Sequence, residues 1–300
     1  MALVYDLFLT LILCASAYLT ARQLSLFFGM ENEDASDLRD ICARYVIEER
    51  NISNIVDYAA GTALVVSRAE LNGQKVVLKR WQGARVHGDE RRLFAQRLIR
   101  DLDRWRSLSH RNISPFVGVV LHTWSLPGFV VPYYQTVASY LKQNPKADVV
   151  HLLGDVAEGL TYLHAQDPPI AHGDIRGSTV FVTPAGAACL SDIGIVAIPQ
   201  PNAWTHTGLS GTRWFAPELM DMRLRPTKDS EPTKHPLLRS SLPVTPESDV
   251  YAFGMLSYEM HTRSRPFGGL RDRMSRYAQP PAPAHYALRF PCSRTTACGC

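Results

Sequence analysis

Two short runs in which apolar and polar residues alternate, TALVVSRAEL and QKVVLKRW, flank Asn72 and Gly73. Alternation puts successive side chains on opposite faces of a strand, and Asn-Gly supplies the positive φ angles of a two-residue hairpin. The pattern predicts a β-hairpin. Before it, ENEDASDLRDICARYVIEER (31–50) starts acidic, repeats Leu38, Ile41, Cys42 and Tyr45 at helical spacing, and closes on Arg50. That predicts one amphipathic helix. After the hairpin, DERRLFAQRLIRDLDRWRSL (89–108) gathers Leu93, Phe94, Leu98, Ile99, Leu102 and Trp105 on one stripe of a long helix. ISPFVGVVLHTWSLPGFVVPYY (113–134) supplies further strands, broken at Ser-Leu-Pro-Gly. From TVASYL through HLLGDVAEGLTYLHAQ (136–166) the periodicity turns helical. The expected fold class is therefore α+β, a strand-rich first part with one helix followed by a helix-rich second part.

Composition narrows this picture without redirecting it. At 300 residues, with 46% apolar and 20% charged residues, the chain has the balance of a folded globular protein and can bury a large core. A net charge of +4 gives no dense basic stripe, so no nucleic-acid partner is expected. Cys14, Cys42, Cys189, Cys292, Cys298 and Cys300 form no disulfide framework, and the three in CSRTTACGC lack the partners of a zinc site. A reducing, cytoplasmic compartment is expected. The apolar stretch Leu7–Ala21 is shorter than the ~20 residues of a spanning helix, and it lacks the basic start of a secretory signal. Association with a membrane through residues 7–21 stays open beside signal, span and packed helix. From about Met274 the chain is rich in Pro, Ala and Arg without periodicity, and disorder is expected there. The organisation is read as an apolar segment 1–30, a folded unit 31–270 and a tail 271–300. So abrupt a change is what a shifted reading frame would leave.

Five segments in fixed order resemble the protein kinase family, over roughly Ile52 to Leu270. Lys79 in VVLK stands at the family's strand lysine. HGDIRGST (172–179) stands at the catalytic loop, and SDIG (191–194) at D-F-G. FAPE (215–218) stands at A-P-E, and SDVYAFG (248–254) is similar to the buried central helix. In style the chain looks most like the tyrosine-kinase-like Ser/Thr kinases abundant in fungi. The resemblance implies two lobes: a small antiparallel sheet with one helix (about 51–131), a hinge at 132–134, and a mainly helical lobe (135–270) that stops early. It implies that Lys79 holds the α- and β-phosphates of ATP, Asp192 binds Mg²⁺, and Asp174 orients the acceptor hydroxyl. Arg176 stands for the lysine of the catalytic loop and keeps its charge. Gly61, Val66, Val77, Val131, Tyr134 and Phe181 are expected to line the nucleotide site with Lys79 and Asp192. His172, Ile193, Trp105 and Phe116 would form an apolar column aligning the lobes.

The departures matter as much. The phosphate loop reads Ala59, Gly61, Leu64 and Val66, so only the middle glycine remains. Side chains at Ala59 and Leu64 limit how closely backbone N–H groups can approach phosphate. Asp101 stands where a glutamate pairs with the lysine, one methylene shorter. Gly173 replaces an arginine that engages a phosphorylated loop. Thr179 replaces an asparagine, leaving a neutral hydroxyl of short reach as second metal ligand. Val77 and Phe181 are bulkier than the family's residues around adenine. Without the last helices, Glu218 of A-P-E is expected to be buried and unpaired, at about 3–5 kcal/mol.

The resemblance implies a Ser/Thr protein kinase using ATP and Mg²⁺ on a protein substrate, with Thr212 beside the substrate and Thr205, Thr207 and Ser210 as modifiable sites. The rival reading is a pseudokinase, a nucleotide-weak scaffold that binds a protein partner by shape. A truncated product without activity stays open as a third.

Overall fold

The computed structural model of the protein describes residues 37–60, 64–81, 88–121, 126–198, 211–220 and 243–268. Gly61, the modifiable Thr205, Thr207 and Ser210, the apolar segment 7–21 and the tail 271–300 lie outside the described residues.

Asn72 and Gly73 both adopt positive φ, 49° and 80°, and join β2 (Leu64–Leu71) to β3 (Gln74–Trp81). This is the hairpin the sequence predicts. β1 (Ile52–Ala60) pairs antiparallel with β2, and β3 pairs with β5 (Gly128–Pro132), which pairs with β4 (Gly118–Val120). The order of this five-stranded sheet is β1-β2-β3-β5-β4. Register decides which side chains meet: Val66 lies opposite Lys79, Lys79 opposite Phe129, and Val77 opposite Val131. Directly opposed residues share a face, so these side chains line one side of the sheet.

The long helix α2 (Gly88–Ser107) buries Phe94, Ala95, Leu98, Leu102 and Trp105, the stripe its periodicity calls for. The helical part opens with β6 (Gln135–Thr136) and α3 (Val137–Gln143), whose N-terminus is capped by the Thr136 hydroxyl. α4 (Val149–His164) starts at Asp148, whose carboxylate accepts from His151 N at 3.0 Å. Each cap satisfies an otherwise orphaned N–H. β7 (Val180–Val182) and β8 (Ala188–Leu190) complete a three-stranded sheet with β6. The short α5 (Pro217–Met220) precedes α6 (Pro246–Thr262). α6 begins with Pro246 and a reciprocal capping box between Thr245 and Ser248. A continuous apolar cluster runs from Phe94, Trp105 and Phe129 to Leu160, Leu190 and Leu256, joining both parts.

Two expectations change. The helix expected over 31–50 is α-helical, among the described residues, only over 37–42, here called α1, with a short 3-10 turn at Glu49–Asn51. Beyond α1 the chain turns and pairs with β4 instead. Val119 N donates to Tyr45 O and Ile47 N to Val119 O, both at 2.7 Å, making a parallel bridge between Val46 and Val119. Sheet pairing overrides helical propensity here, as tertiary context commonly does. The localisation reading, cytoplasmic with membrane association through residues 7–21, is also corrected. Among the described residues no helix is long and apolar enough to cross a membrane, and the segment on which the reading rested is outside them.

Candidate active site

β3 carries Lys79 into the space between the sheet and the loops below it. Lys79 is only 4% exposed, and its ammonium donates to the carboxylate of Asp192. Its Nζ also lies 5.2 Å from the ring centre of Phe181 and 5.9 Å from that of Phe129. Rings below and above thus add cation–π attraction to the ion pair. Asp192 follows β8 and holds a φ of 65°, an uncommon value that Asp tolerates better than most residues. Gly194, at φ 74°, lets the chain turn so that its N–H donates to His172 O at 3.2 Å.

The loop between α4 and β7 is hung from α6. Asp249, 1% exposed, accepts from His172 N at 2.7 Å and from Gly173 N at 2.8 Å, with His164 Nε2 3.0 Å away. A buried carboxylate thus satisfies two loop N–H groups that have no regular structure to bond. Gly173 has a φ of 83°, and a Cβ there would stand 2.6 Å from Val196 and 3.0 Å from Val244. Glycine takes this conformation without strain, and a side chain here would have to displace Val196 and Val244.

From this anchored loop Asp174 reaches the cleft, its side chain 16% exposed. Arg176 forms an ion pair with it, Nη2 donating to Oδ2 at 3.1 Å and Nε lying 2.8 Å from Oδ1, which is buried and receives no hydrogen bond among the described residues. Thr179 is 5% exposed, and its hydroxyl donates to the carbonyls of Asp174 and Arg176, closing the loop upon itself.

Val77 and Val131, each 2% exposed, lie opposite each other in the sheet, and Phe181 on β7 is buried below. Val66 and Tyr134 are half-buried, and burial raises the Tyr134 phenol above its ordinary range. The apolar column assembles. Trp105, Phe116 and Ile193 share the main cluster, His172 is fully buried, and the Trp105 and Phe116 rings are 5.9 Å apart.

Asp101 does not meet Lys79. It is half-buried on α2, where desolvation raises its carboxyl against the lowering effect of Arg104, Arg100 and Arg97. Lys79 takes its carboxylate from Asp192 instead. Glu218 lies in α5 and is exposed rather than buried, so the cost expected for an unpaired buried carboxylate does not arise.

Sequence reasoning missed Glu259 and Gly211. Glu259, on α6, accepts from Gly177 N at 2.8 Å and Trp214 Nε1 at 3.0 Å. Burial raises its carboxyl, opposed by those two bonds and by Arg176 and Arg265. It thereby joins the loop of Asp174 to the segment before α5. Its signal was a lone acid inside the otherwise apolar GMLSYEM. Gly211, at φ 105°, passes so close to Asp174 that a Cβ would lie 2.9 Å from Oδ1. Nothing local in the sequence announces that approach.

A buried lysine paired with an aspartate, with a second aspartate on a loop hung from a central helix, is the arrangement of the protein kinase class. The model of the protein tyrosine and serine/threonine kinase family matches residues 58–279, well over half the chain, and the chain belongs to that family. It is similar to the serine/threonine-protein kinase CTR1 of Arabidopsis thaliana, 26% identical over 78% of this chain and 26% of that protein. The probable serine/threonine-protein kinase samkB of Dictyostelium discoideum is 24% identical over 64% of this chain and 31% of its own length. The MAP3K epsilon protein kinase 1 of Brassica napus is 29% identical over 42% and 10%. The first of these is named as a serine/threonine-protein kinase and the second as a probable one. The chain spans less than a third of the length of each.

Proposed function

We propose that this chain transfers the γ-phosphoryl group of ATP to a Ser or Thr hydroxyl of a protein. The observation that carries the reading is the buried meeting of Lys79 with Asp192, 113 residues apart, above the loop that holds Asp174. A buried ion pair is costly to build and is weak evidence of a stability role, so a functional one is the better account.

In this reading Lys79 binds the α- and β-phosphate oxygens and leaves Asp192 free to face a cation. Asp174 accepts the hydrogen bond of the acceptor hydroxyl and orients its oxygen in line with the γ-phosphorus. The new O–P bond forms as the bond to the β–γ bridging oxygen breaks. ADP leaves, and the hydroxyl proton passes to Asp174. Arg176 holds Asp174 in place and neutralises charge at the loop. Val66, Val77, Val131, Tyr134 and Phe181 enclose the base, with Gly61 at the phosphate loop.

Mg²⁺ fits the residues in part. Asp192 offers a buried carboxylate, a hard oxygen ligand suited to it. The Thr179 hydroxyl directs its proton to two carbonyls and keeps its lone pairs, but as a neutral oxygen on a short side chain it offers a weaker second position. When bound, the ion would draw charge from the phosphate oxygens.

Three of these observations also favour the scaffold reading. Lys79 and Asp192 neutralise each other, Arg176 pairs with Asp174, and the bulky Val77 and Phe181 are buried where the base would lie. Thermal unfolding with and without Mg–ATP separates the two. A binder at saturation gains a few kcal/mol, on the order of 3. Asp174→Asn should abolish phosphate transfer while keeping that shift. A chain that shows no shift is the scaffold, and transfer that survives the substitution gives Asp174 a different role.

A further inference from the structure

The span matched by the family begins at residue 58, yet residues 37–47 are bound into the fold ahead of it. Leu38 and Cys42 on α1 are 2% and 0% exposed, and burial pushes the Cys42 thiol up to about 12. Asp37 pairs with Arg92 on α2 at 3.3 Å. The Tyr45 hydroxyl donates to the Asp103 carboxylate on the same helix. Tyr45 and Ile47 add their backbone to the edge of β4. Gly118 makes room for them, since a Cβ there would stand 2.6 Å from Ile47 and 2.8 Å from Tyr45 O. The segment is a strap across the back of α2 and the sheet.

One ring of the strap starts a continuous series that ends at the active-site lysine. Tyr45 packs edge-on against Phe116, centroids 5.3 Å apart and planes at 75°. Phe116 lies 5.9 Å from Trp105, and Trp105 lies 6.2 Å from Phe129 at 70°. The Lys79 ammonium sits 5.9 Å from the centre of Phe129. Phe116, Trp105 and Phe129 are buried at 2%, 1% and 0%, so a shift of one ring has no solvent gap into which to relax. The Trp105 indole is further pinned by its bond to Ser114 O at 2.7 Å.

We propose that Tyr45 is a positioning residue for Lys79, acting from the strap through Phe116, Trp105 and Phe129. The value of the ladder lies in where it leaves the ammonium: against Asp192 and over the place where phosphate binds. The nucleotide part of this inference rests on the reading given under Proposed function, whereas the position of Lys79 does not. Removal of the Tyr45 ring opens space behind Phe116, lets Trp105 and Phe129 move, and frees Lys79. Loss of the hydroxyl alone keeps the ladder and cuts only the bond to Asp103.

The test uses the full chain and two readouts, the rate at which acetic anhydride acetylates Lys79, followed by mass spectrometry, and the Kd for Mg–ATP. Tyr45→Leu should speed acetylation of Lys79 by about fivefold and weaken Mg–ATP to a similar degree, within the range of energetic coupling between distant residues. Tyr45→Phe should react as wild type. Tyr45→Met, which removes the ring and its edge-on contact with Phe116 but keeps a flexible apolar side chain, serves where the leucine variant does not fold and should likewise speed acetylation of Lys79. An unchanged Lys79 rate in Tyr45→Leu or Tyr45→Met overturns the inference. A Tyr45→Phe rate as high as that of Tyr45→Leu also overturns it, because the Asp103 bond and not the ring would then carry the effect. Acetylation needs no nucleotide. Absence of Mg–ATP binding in every variant therefore counts against the proposed function and leaves the acetylation rates to decide the role of Tyr45.

Discussion

Lys79→Ala should lower the free energy of unfolding by about 3–5 kcal/mol, measured by urea denaturation at neutral pH. Lys79 and Asp192 are 4% and 8% exposed and bonded to each other. Removing the ammonium strands a carboxylate where water cannot reach it, and the attraction to the Phe129 and Phe181 rings goes with it. Domains of this kind are stable by about 5–15 kcal/mol, so the loss is a large share of the total. The double variant Lys79→Met, Asp192→Leu should regain most of it, because replacing a buried pair by apolar groups of similar size is often neutral or better. A loss below about 1 kcal/mol for the single variant is the value of an exposed pair and would show that this one is not buried.

Asp249→Ala is the second large effect. Its two oxygens accept from His172 N and Gly173 N, and both donors are left inside the protein when it is removed. Each unsatisfied buried donor costs about 1–3 kcal/mol, so a loss of about 2–6 kcal/mol is expected. Asp249→Asn keeps one acceptor oxygen and should cost roughly half as much on the same account. Hydrogen exchange at residues 172 and 173 distinguishes this from a general loss of stability. These amides should exchange faster in Asp249→Ala even under conditions where α4 remains protected. Unchanged exchange at both would mean that α6 does not hold the loop.

Local rules made the hairpin and the long helix readable. Asn72 and Gly73 accept positive φ, and the Phe94–Leu98–Leu102–Trp105 stripe has one face to bury. Lys79, Asp174 and Asp192 can be proposed from the sequence because chemistry restricts the residue types at those places, whatever lies between them, and the pairing of Lys79 with Asp192 agrees with that proposal. Residues 43–50 were misread for the opposite reason. Their helical spacing is genuine, but hydrogen bonds to Val119, more than seventy residues away, decide their conformation. Asp101 and Glu218 failed alike. Each was assigned by its place in a motif, whereas its environment is set by how α2 packs and by how little of α5 is covered. Glu259 and Gly211 carry no local signal of their partners, since Gly177, Trp214 and Asp174 come near them only through the fold.

The central claim is that Lys79, Asp174 and Asp192 surround one site for nucleotide phosphates. The most direct measurement is acetylation of Lys79 in the wild-type chain with and without saturating Mg–ATP. The account predicts that Lys79 is protected by the nucleotide while the exposed Lys142 and Lys146 react at an unchanged rate. Equal acetylation of Lys79 in both conditions would contradict it.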